Sequence, residues 1–347
     1  MVNPRANLAV VLLLGVTLMA AWWLGSRRDG HRWRTGEPLV QPEPVWEMDA
    51  AAGVTTSVTP GGLILVREAE RLRALDSQGR GLFETSLPAD NLVLPLPAAE
   101  PAMALLIFDV VPVLTGEHPY GESLRIRIGL EGRVQSYDLP GGALLSVATV
   151  DGQRMVLGVM SLDGDRPEGR LHVLDGGRQT AVHRLAAGIV SRLELCAAGE
   201  YVVAADSKTV HYLDLESGRL IGDWRYPEGV RDVSLLPGGG PIVLTATALQ
   251  VYDQQGRLAW RRPLRSPGVA LEAGSKLIMV ATRDQLEAYL EDGERVGRWV
   301  PRGLIRDIDL TAEGANLLVV YEDWRMAMYR IIDPPTSAAA SRLGVGP

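Results

Sequence analysis

The sequence has little cysteine, few aromatic residues and almost no lysine. Cys196 is the one cysteine in 347 residues, which excludes internal disulfides and CxxC-type metal or haem sites. None falls in the first 35 residues, so a lipid-attachment cysteine is missing there. Aromatic residues make up 5% of the chain and only two are Phe, so a core must be built from aliphatic side chains. Lys208 and Lys276 are the only lysines among 35 basic residues, a bias of composition more than of chemistry. Only one apolar run is long, which excludes a polytopic membrane protein.

What the chain does have narrows the class further. It is 46% hydrophobic, too apolar for disorder, and its 38 Gly and 22 Pro are too many for a helical bundle. The net charge of −7 is unevenly spread. Residues 1–34 carry five Arg (Arg5, Arg27, Arg28, Arg32, Arg34) and Asp29, while the rest of the chain is strongly acidic. An acidic body argues against a nucleic-acid partner, because phosphates need a basic face.

Residues 6–26 are uncharged, and as a helix they span roughly 30 Å, one hydrocarbon core. Trp22 and Trp23 stand at the end of this run, where indole rings favour a membrane interface. A cleaved signal peptide needs small residues before its cut, and bulky "WWL" occupies that place. The expectation is an uncleaved transmembrane anchor over 1–26, followed by a juxtamembrane linker over 27–44. The arginines after the run favour a cytoplasmic body by the positive-inside rule. The layout of a short start before an apolar run favours an extracytoplasmic one, which is the expected localisation.

Internal repeats organise the remainder. "VSRLELCAAGEYVVAA" from Val190, "VRDVSLLPGGGPIVLTA" from Val230 and "IRDIDLTAEGANLLVV" from Ile305 align without gaps. Each places apolar residues at the first, fourth and sixth positions, then Gly199, Gly239 or Gly314, then an apolar run. That reads as two short strands joined by a turn. Each is followed by a strand that closes on an acidic or glycine turn and then by another strand. The turn glycines Gly79, Gly132, Gly177, Gly218, Gly256 and Gly293 recur along the chain. Asp binds its own backbone in such turns and Gly takes the positive φ of a tight hairpin. Four strands in roughly 40 residues is the period of a β-propeller blade.

Six complete units run from Val54 to about Val300, and a seventh lacks its outer strand. The unpaired segment "VWEMDA" at 45–50 can supply it and close the ring. The expected fold is therefore all-β: a seven-bladed β-propeller over 45–332 with an N-terminal transmembrane helix and a disordered tail over 333–347.

The motifs "LDLESGRLIGDW" and "YDQQGRLAW" resemble the repeat of PQQ-like (quinoprotein-like) propellers, with Asp214, Gly218 and Trp224, and Asp253, Gly256 and Trp260, as the matching residues. The segments from Val230 and Ile305 look equally like WD40 repeats. The resemblance covers about 285 residues, and the first three blades lack the docking Trp. Among membrane-tethered PQQ-like propellers are outer-membrane assembly lipoproteins, so the resemblance implies partner binding with no enzymatic role.

Two connections expected on one face exceed ordinary hairpin length, 109–123 and 160–169. They offer His118, Tyr120, Asp163, Asp165 and Arg166, and the equivalent turn of the last blade offers Trp324 and Arg325, a pair of residue types that often anchor interfaces. Asp163 and Asp165 lack the further oxygen ligands of a calcium loop, so no metal is expected. Arg192, Arg231, Asp232, Arg306 and Asp307 hold matching places on inner strands, where they would ring the channel mouth and either pair with one another or bind an anion. His31, His118, His172, His183 and His211 are scattered, and no P-loop or GxSxG motif occurs. Cys196 reads as inert core. The reading is a non-enzymatic, membrane-anchored propeller with no cofactor, acting as a protein-binding scaffold or sensor ectodomain. The alternatives are a small-ligand or quinone-cofactor propeller using the channel mouth, and a cytoplasmic scaffold with reversed topology.

Overall fold

A computed structural model describes residues 41–59, 62–88, 91–96, 105–112, 121–129, 132–163, 166–185, 189–311 and 313–332. The expected anchor, most of the linker and the tail lie outside the described residues. Among the described residues no helix is long and apolar enough to cross a membrane.

The described residues form strands only, arranged as seven four-stranded antiparallel sheets. Blade 1 is β2 (Thr55–Val58), β3 (Ile64–Glu68), β4 (Arg71–Leu75) and β5 (Gly81–Ser86). Blade 2 is β6 (Asn91–Pro95), β7 (Leu105–Pro112), β8 (Gly121–Ile128) and β9 (Val134–Pro140). Blade 3 is β10 (Gly142–Thr149), β11 (Arg154–Asp163), β12 (Arg166–Asp175) and β13 (Arg178–Leu185). Blade 4 is β14 (Arg192–Leu195), β15 (Tyr201–Ala205), β16 (Thr209–Asp214) and β17 (Leu220–Arg225). Blade 5 is β18 (Val230–Leu235), β19 (Pro241–Thr245), β20 (Ala248–Tyr252) and β21 (Leu258–Pro263). Blade 6 is β22 (Gly268–Ala273), β23 (Ile278–Thr282), β24 (Leu286–Tyr289) and β25 (Arg295–Trp299). Blade 7 joins β26 (Ile305–Leu310), β27 (Asn316–Tyr321) and β28 (Arg325–Ile332) to β1 (Gln41–Asp49) from the start of the described chain.

The closure expected from "VWEMDA" is present, with Trp46 opposite Met328 and Asp49 opposite Arg325. The strand begins earlier than expected, because Gln41–Pro44 pair with Tyr329–Ile332. Those four residues, two of them proline, fall within the stretch expected as a polar linker. β1 is an outer strand with one free edge, where a missing N–H is tolerated.

The first strand of each blade is innermost, so successive first strands face one another around the central channel. The core is not central but lies between blades, as seven apolar layers. Aliphatic residues dominate them, including Val203, Ala204, Ile242 and Leu244, all at 0% exposure. Small β-branched and Ala side chains suit the close stacking of twisted sheets, which is why the scarcity of Phe costs the fold nothing.

The blade turns work as the residues imply. Asp76 Oδ1 accepts from the N–H groups of Gln78 (2.8 Å) and Arg80 (3.0 Å), and Asp253 Oδ1 accepts from Gln255 (3.0 Å) and Arg257 (2.8 Å). These backbone donors hold both carboxyls below their ordinary range. The glycine that follows has a second duty. An aromatic side chain on one blade's outer strand lies on the turn of the next blade. Trp46 lies against Gly79 and its Nε1 donates to Ser77 O (3.1 Å); Trp260 lies against Gly293 and donates to Glu291 O (2.7 Å). A Cβ at Gly293 would stand 2.8 Å from the Trp260 ring. Trp224 stacks on Tyr252 of blade 5 with ring centroids 4.3 Å apart, and Trp299 meets Tyr329 of blade 7 at 4.3 Å. The docking Trp therefore serves the following blade, not the turn of its own.

Candidate binding face and channel

In this topology the turns between second and third strands share a face with the segments that join blades. Blades 2 and 3 build that face upward. β7 and β8 pair out to Pro112 opposite Glu122, and β11 and β12 pair out to Asp163 opposite Arg166. The stretches expected as long loops are thus extended hairpins, and only 113–120 and 164–165 lie outside the described residues. In blade 3 the first strand starts opposite Ser161 and the fourth ends opposite Gly169. Beyond them β11 and β12 continue as a two-stranded ribbon, whose free edge accommodates Pro167. Leu162 (48% exposed), Val111 (39%) and Ile189 (45%) are exposed apolar residues on or beside these hairpins.

His118, Tyr120 and Asp165 lie outside the described residues. Asp163 ends β11 and Arg166, exposed, begins β12. Trp324 and Arg325 are half-buried and already engaged. Arg325 Nε binds Asp323 (2.8 Å) and its Nη1 binds Glu47 on β1, so that cation fastens the ring closure. These carboxylates hold the guanidinium above its ordinary range. Trp324 has φ of 67°, a left-handed conformation rare for a bulky residue. Its carbonyl accepts from Ala50 N (3.0 Å), and the Arg306 guanidinium lies 4.0 Å above its ring. A cation over an indole face is attractive, so Arg306 helps to hold this strained turn.

The channel opens on the same face. Arg192 Nε stands 3.6 Å from Asp232 Oδ1 across the boundary of blades 4 and 5, the pairing expected of neighbouring inner strands. Arg231 is exposed. Asp232 also accepts from Leu271 N (2.9 Å) and Val233 N (3.0 Å), and Asp307 accepts from Ile308 N (3.0 Å). Two residues further along the inner strands come Glu194, Glu272 and Asp309, which the reading of the mouth did not include. Alternation along a strand would have found them: Glu194 follows Arg192 and Asp309 follows Asp307 at spacing two. Glu194, Asp232 and Glu272 line a cavity of about 310 Å³. Glu194 is exposed toward the channel, yet the surrounding strands enclose its carboxyl. That enclosure, reinforced by Asp232, pushes Glu194 up to about 7. Enclosure likewise raises Asp232 to about 7, and raises Glu272, Asp307 and Asp309.

In fold, the chain is similar to Raptor. The crystal structure of Chaetomium thermophilum Raptor matches with a TM-score of 0.63 at 11% identity, over 84% of this chain and 29% of that one. At that identity the likeness is one of fold. No protein-family model and no curated protein matches the sequence.

Cys196 is buried in the layer between blades 4 and 5, and its Sγ accepts from Tyr201 N (3.2 Å). That is a packing role. His172 Nδ1 stands 2.9 Å from Gln179 Oε1 and 3.1 Å from the Tyr137 hydroxyl, within blades 2 and 3. His183 and His211 face each other's blades at the boundary of blades 3 and 4, where no role was assigned from sequence.

Proposed function

We propose that the chain is a non-enzymatic propeller that binds a protein partner on the face carrying the hairpins of blades 2 and 3. The observation that carries this reading is the projection of two adjacent hairpins bearing exposed Val111 and Leu162, next to exposed Ile189. Exposed apolar side chains grouped on one edge favour a protein surface over water. Trp324 stands on the same face as a further contact. The membrane attachment proposed for residues 6–26 would hold the propeller on the extracytoplasmic side, and the docking of Trp46, Trp224, Trp260 and Trp299 supports the PQQ-like kind of repeat. A channel wall bearing Glu194, Asp232, Glu272, Asp307 and Asp309 speaks against an anionic quinone cofactor at the mouth.

The test is a crosslinking capture from intact membranes. A variant in which 113–120 is replaced by a two-residue turn, combined with Leu162→Asp, should keep its melting temperature and lose the captured partner. Capture at the parent's level by that folded variant would overturn the assignment of the face. A reporter fused at the C-terminus, active only outside the cytoplasm, tests the topology separately.

A further inference from the structure

The junction between blades 3 and 4 differs from those that follow blades 4 and 6 in a way that leaves a groove. The outer strands of blades 3, 4 and 6 align as "QTAVH" (179–183), "LIGDW" (220–224) and "RVGRW" (295–299). His183 therefore holds the register place of Trp224 and Trp299, two residues beyond Ala181 as they are beyond Gly222 and Gly297. The facing position changes as well. Tyr252 and Tyr329, which meet those two tryptophans, each stand directly after the bulge in a third strand's pairing with its outer strand; the same place in blade 4 belongs to Leu213, opposite Leu220. A Trp–Tyr pair is thus replaced by His183 and Leu213. Both residues are smaller, and a groove of about 290 Å³ opens between them, floored by Gly218 and rimmed by exposed Leu220.

The groove is not merely apolar. His211, 3% exposed, lines it, and neither of its ring nitrogens has a hydrogen-bond partner among the described residues; the same holds for His183 Nε2. Buried polar atoms without partners are rare and costly. Asp223 Oδ1 stands 3.2 Å from His211 Nδ1, without the alignment of a hydrogen bond. Burial holds the His183 imidazole below its ordinary range, in the neutral form that packs with rings.

We propose that this groove receives the side chain of a tryptophan or tyrosine from a protein partner, whose ring fills the space beside His183 and Leu213 that the larger Trp–Tyr pairs occupy at the other two junctions. The indole N–H or phenol O–H donates to an imidazole nitrogen of His211 or His183, and Leu185, Leu213 and Leu220 cover the ring. An aromatic residue with one polar edge fits a site with apolar walls and an orphaned acceptor. The inference rests on the reading of the chain as a protein-binding propeller, but it concerns the blade boundary and not the hairpin face.

The test uses the full-length chain labelled at histidine Cε1, titrated with N-acetyl-tryptophanamide and followed by NMR. The resonances of His183 and His211 should move saturably while that of His172 stays in place, and N-acetyl-leucinamide should move none. His183→Trp should close the groove with the chain's own indole, raise the melting temperature and abolish the movement of His211. Leu213→Tyr closes it from the other wall and carries the test if the first variant misfolds. No movement with N-acetyl-tryptophanamide, equal movement with the leucine probe, or movement that survives in a folded blocked variant would each overturn the proposal. So would binding of free indole with exclusion of N-acetyl-tryptophanamide, which would make the groove a small-molecule site. Loss of partner capture on trimming the hairpins leaves this titration untouched, so the two readings fail separately.

Discussion

At the scale of single residues, two kinds of position repay measurement. Gly53 and Gly293 share a φ of +84°, yet a Cβ at Gly53 meets nothing within 4 Å while one at Gly293 meets Trp260 at 2.8 Å. Gly53→Ala should therefore cost the left-handed backbone term alone, about 1–2 kcal/mol. Gly293→Ala should cost clearly more, because the docked indole must shift. Urea unfolding midpoints of both variants check this, and equal losses would mean that the turn glycine serves only its own backbone. The second position is Glu194. Its folded-state value is raised from 4.5 to about 7, so folding takes up a proton in that window. The stability that this residue contributes is full below about pH 4.5 and is lost as pH rises toward 7. Glu194→Gln should then leave the melting temperature unchanged at pH 4 and raise it at pH 8. Melts of parent and variant at the two pH values decide it, and parallel shifts would sink the idea. The glycine pattern was legible in the sequence because conformational need writes itself into residue type. The acidic channel was only half legible, because the mouth residues were found by repeat alignment and their neighbours two places on needed strand alternation as well.

At the scale of elements, the hairpins of blades 2 and 3 show where composition misleads. "DVVPVLTGEHPYGES" and "MSLDGDRPEG" are dense in Gly, Pro, Asp and Glu, the residues of loops. Cross-strand pairing is a property of two segments together, so neither stretch alone reveals that 109–112 and 122–125 are paired. Leu162 stands on the ribbon that extends beyond the neighbouring strands of blade 3, 48% exposed. Leu162→Asp taken alone should change stability by no more than about 0.5 kcal/mol, as surface substitutions do, and should weaken partner capture. Calorimetry with the same capture assay separates the two effects, and a large stability loss would show that the ribbon is packed rather than displayed. The prolines of β1 misled in the opposite direction: they read as linker, yet an outer strand needs hydrogen bonds on one side only.

For the whole molecule, the ring is held by seven layers between blades, and the one between blades 7 and 1 depends on a strand that arrives from far away in sequence. Val45, Trp46 and Met48 of β1 pack against Leu318, Val320, Met326 and Met328, while Arg325 binds Glu47 across the seam. Removing β1 would uncover those side chains and leave β28 with an unpaired edge, the condition that propeller closure avoids. The count of strands announced this seam, because six complete units and three leftover strands require a fourth from elsewhere. A chain starting at Thr55 should therefore melt at lower temperature than the parent, and a synthetic peptide of residues 41–50 should restore part of the loss by adding back the strand. The same peptide with Trp46→Ala forfeits the indole that covers Gly79 and donates to Ser77, about 3 kcal/mol by analogy with buried large-to-small changes, and should restore much less. If the truncated chain melts like the parent, or both peptides rescue it equally, the ring does not depend on this strand and closure must be carried by the blade faces alone.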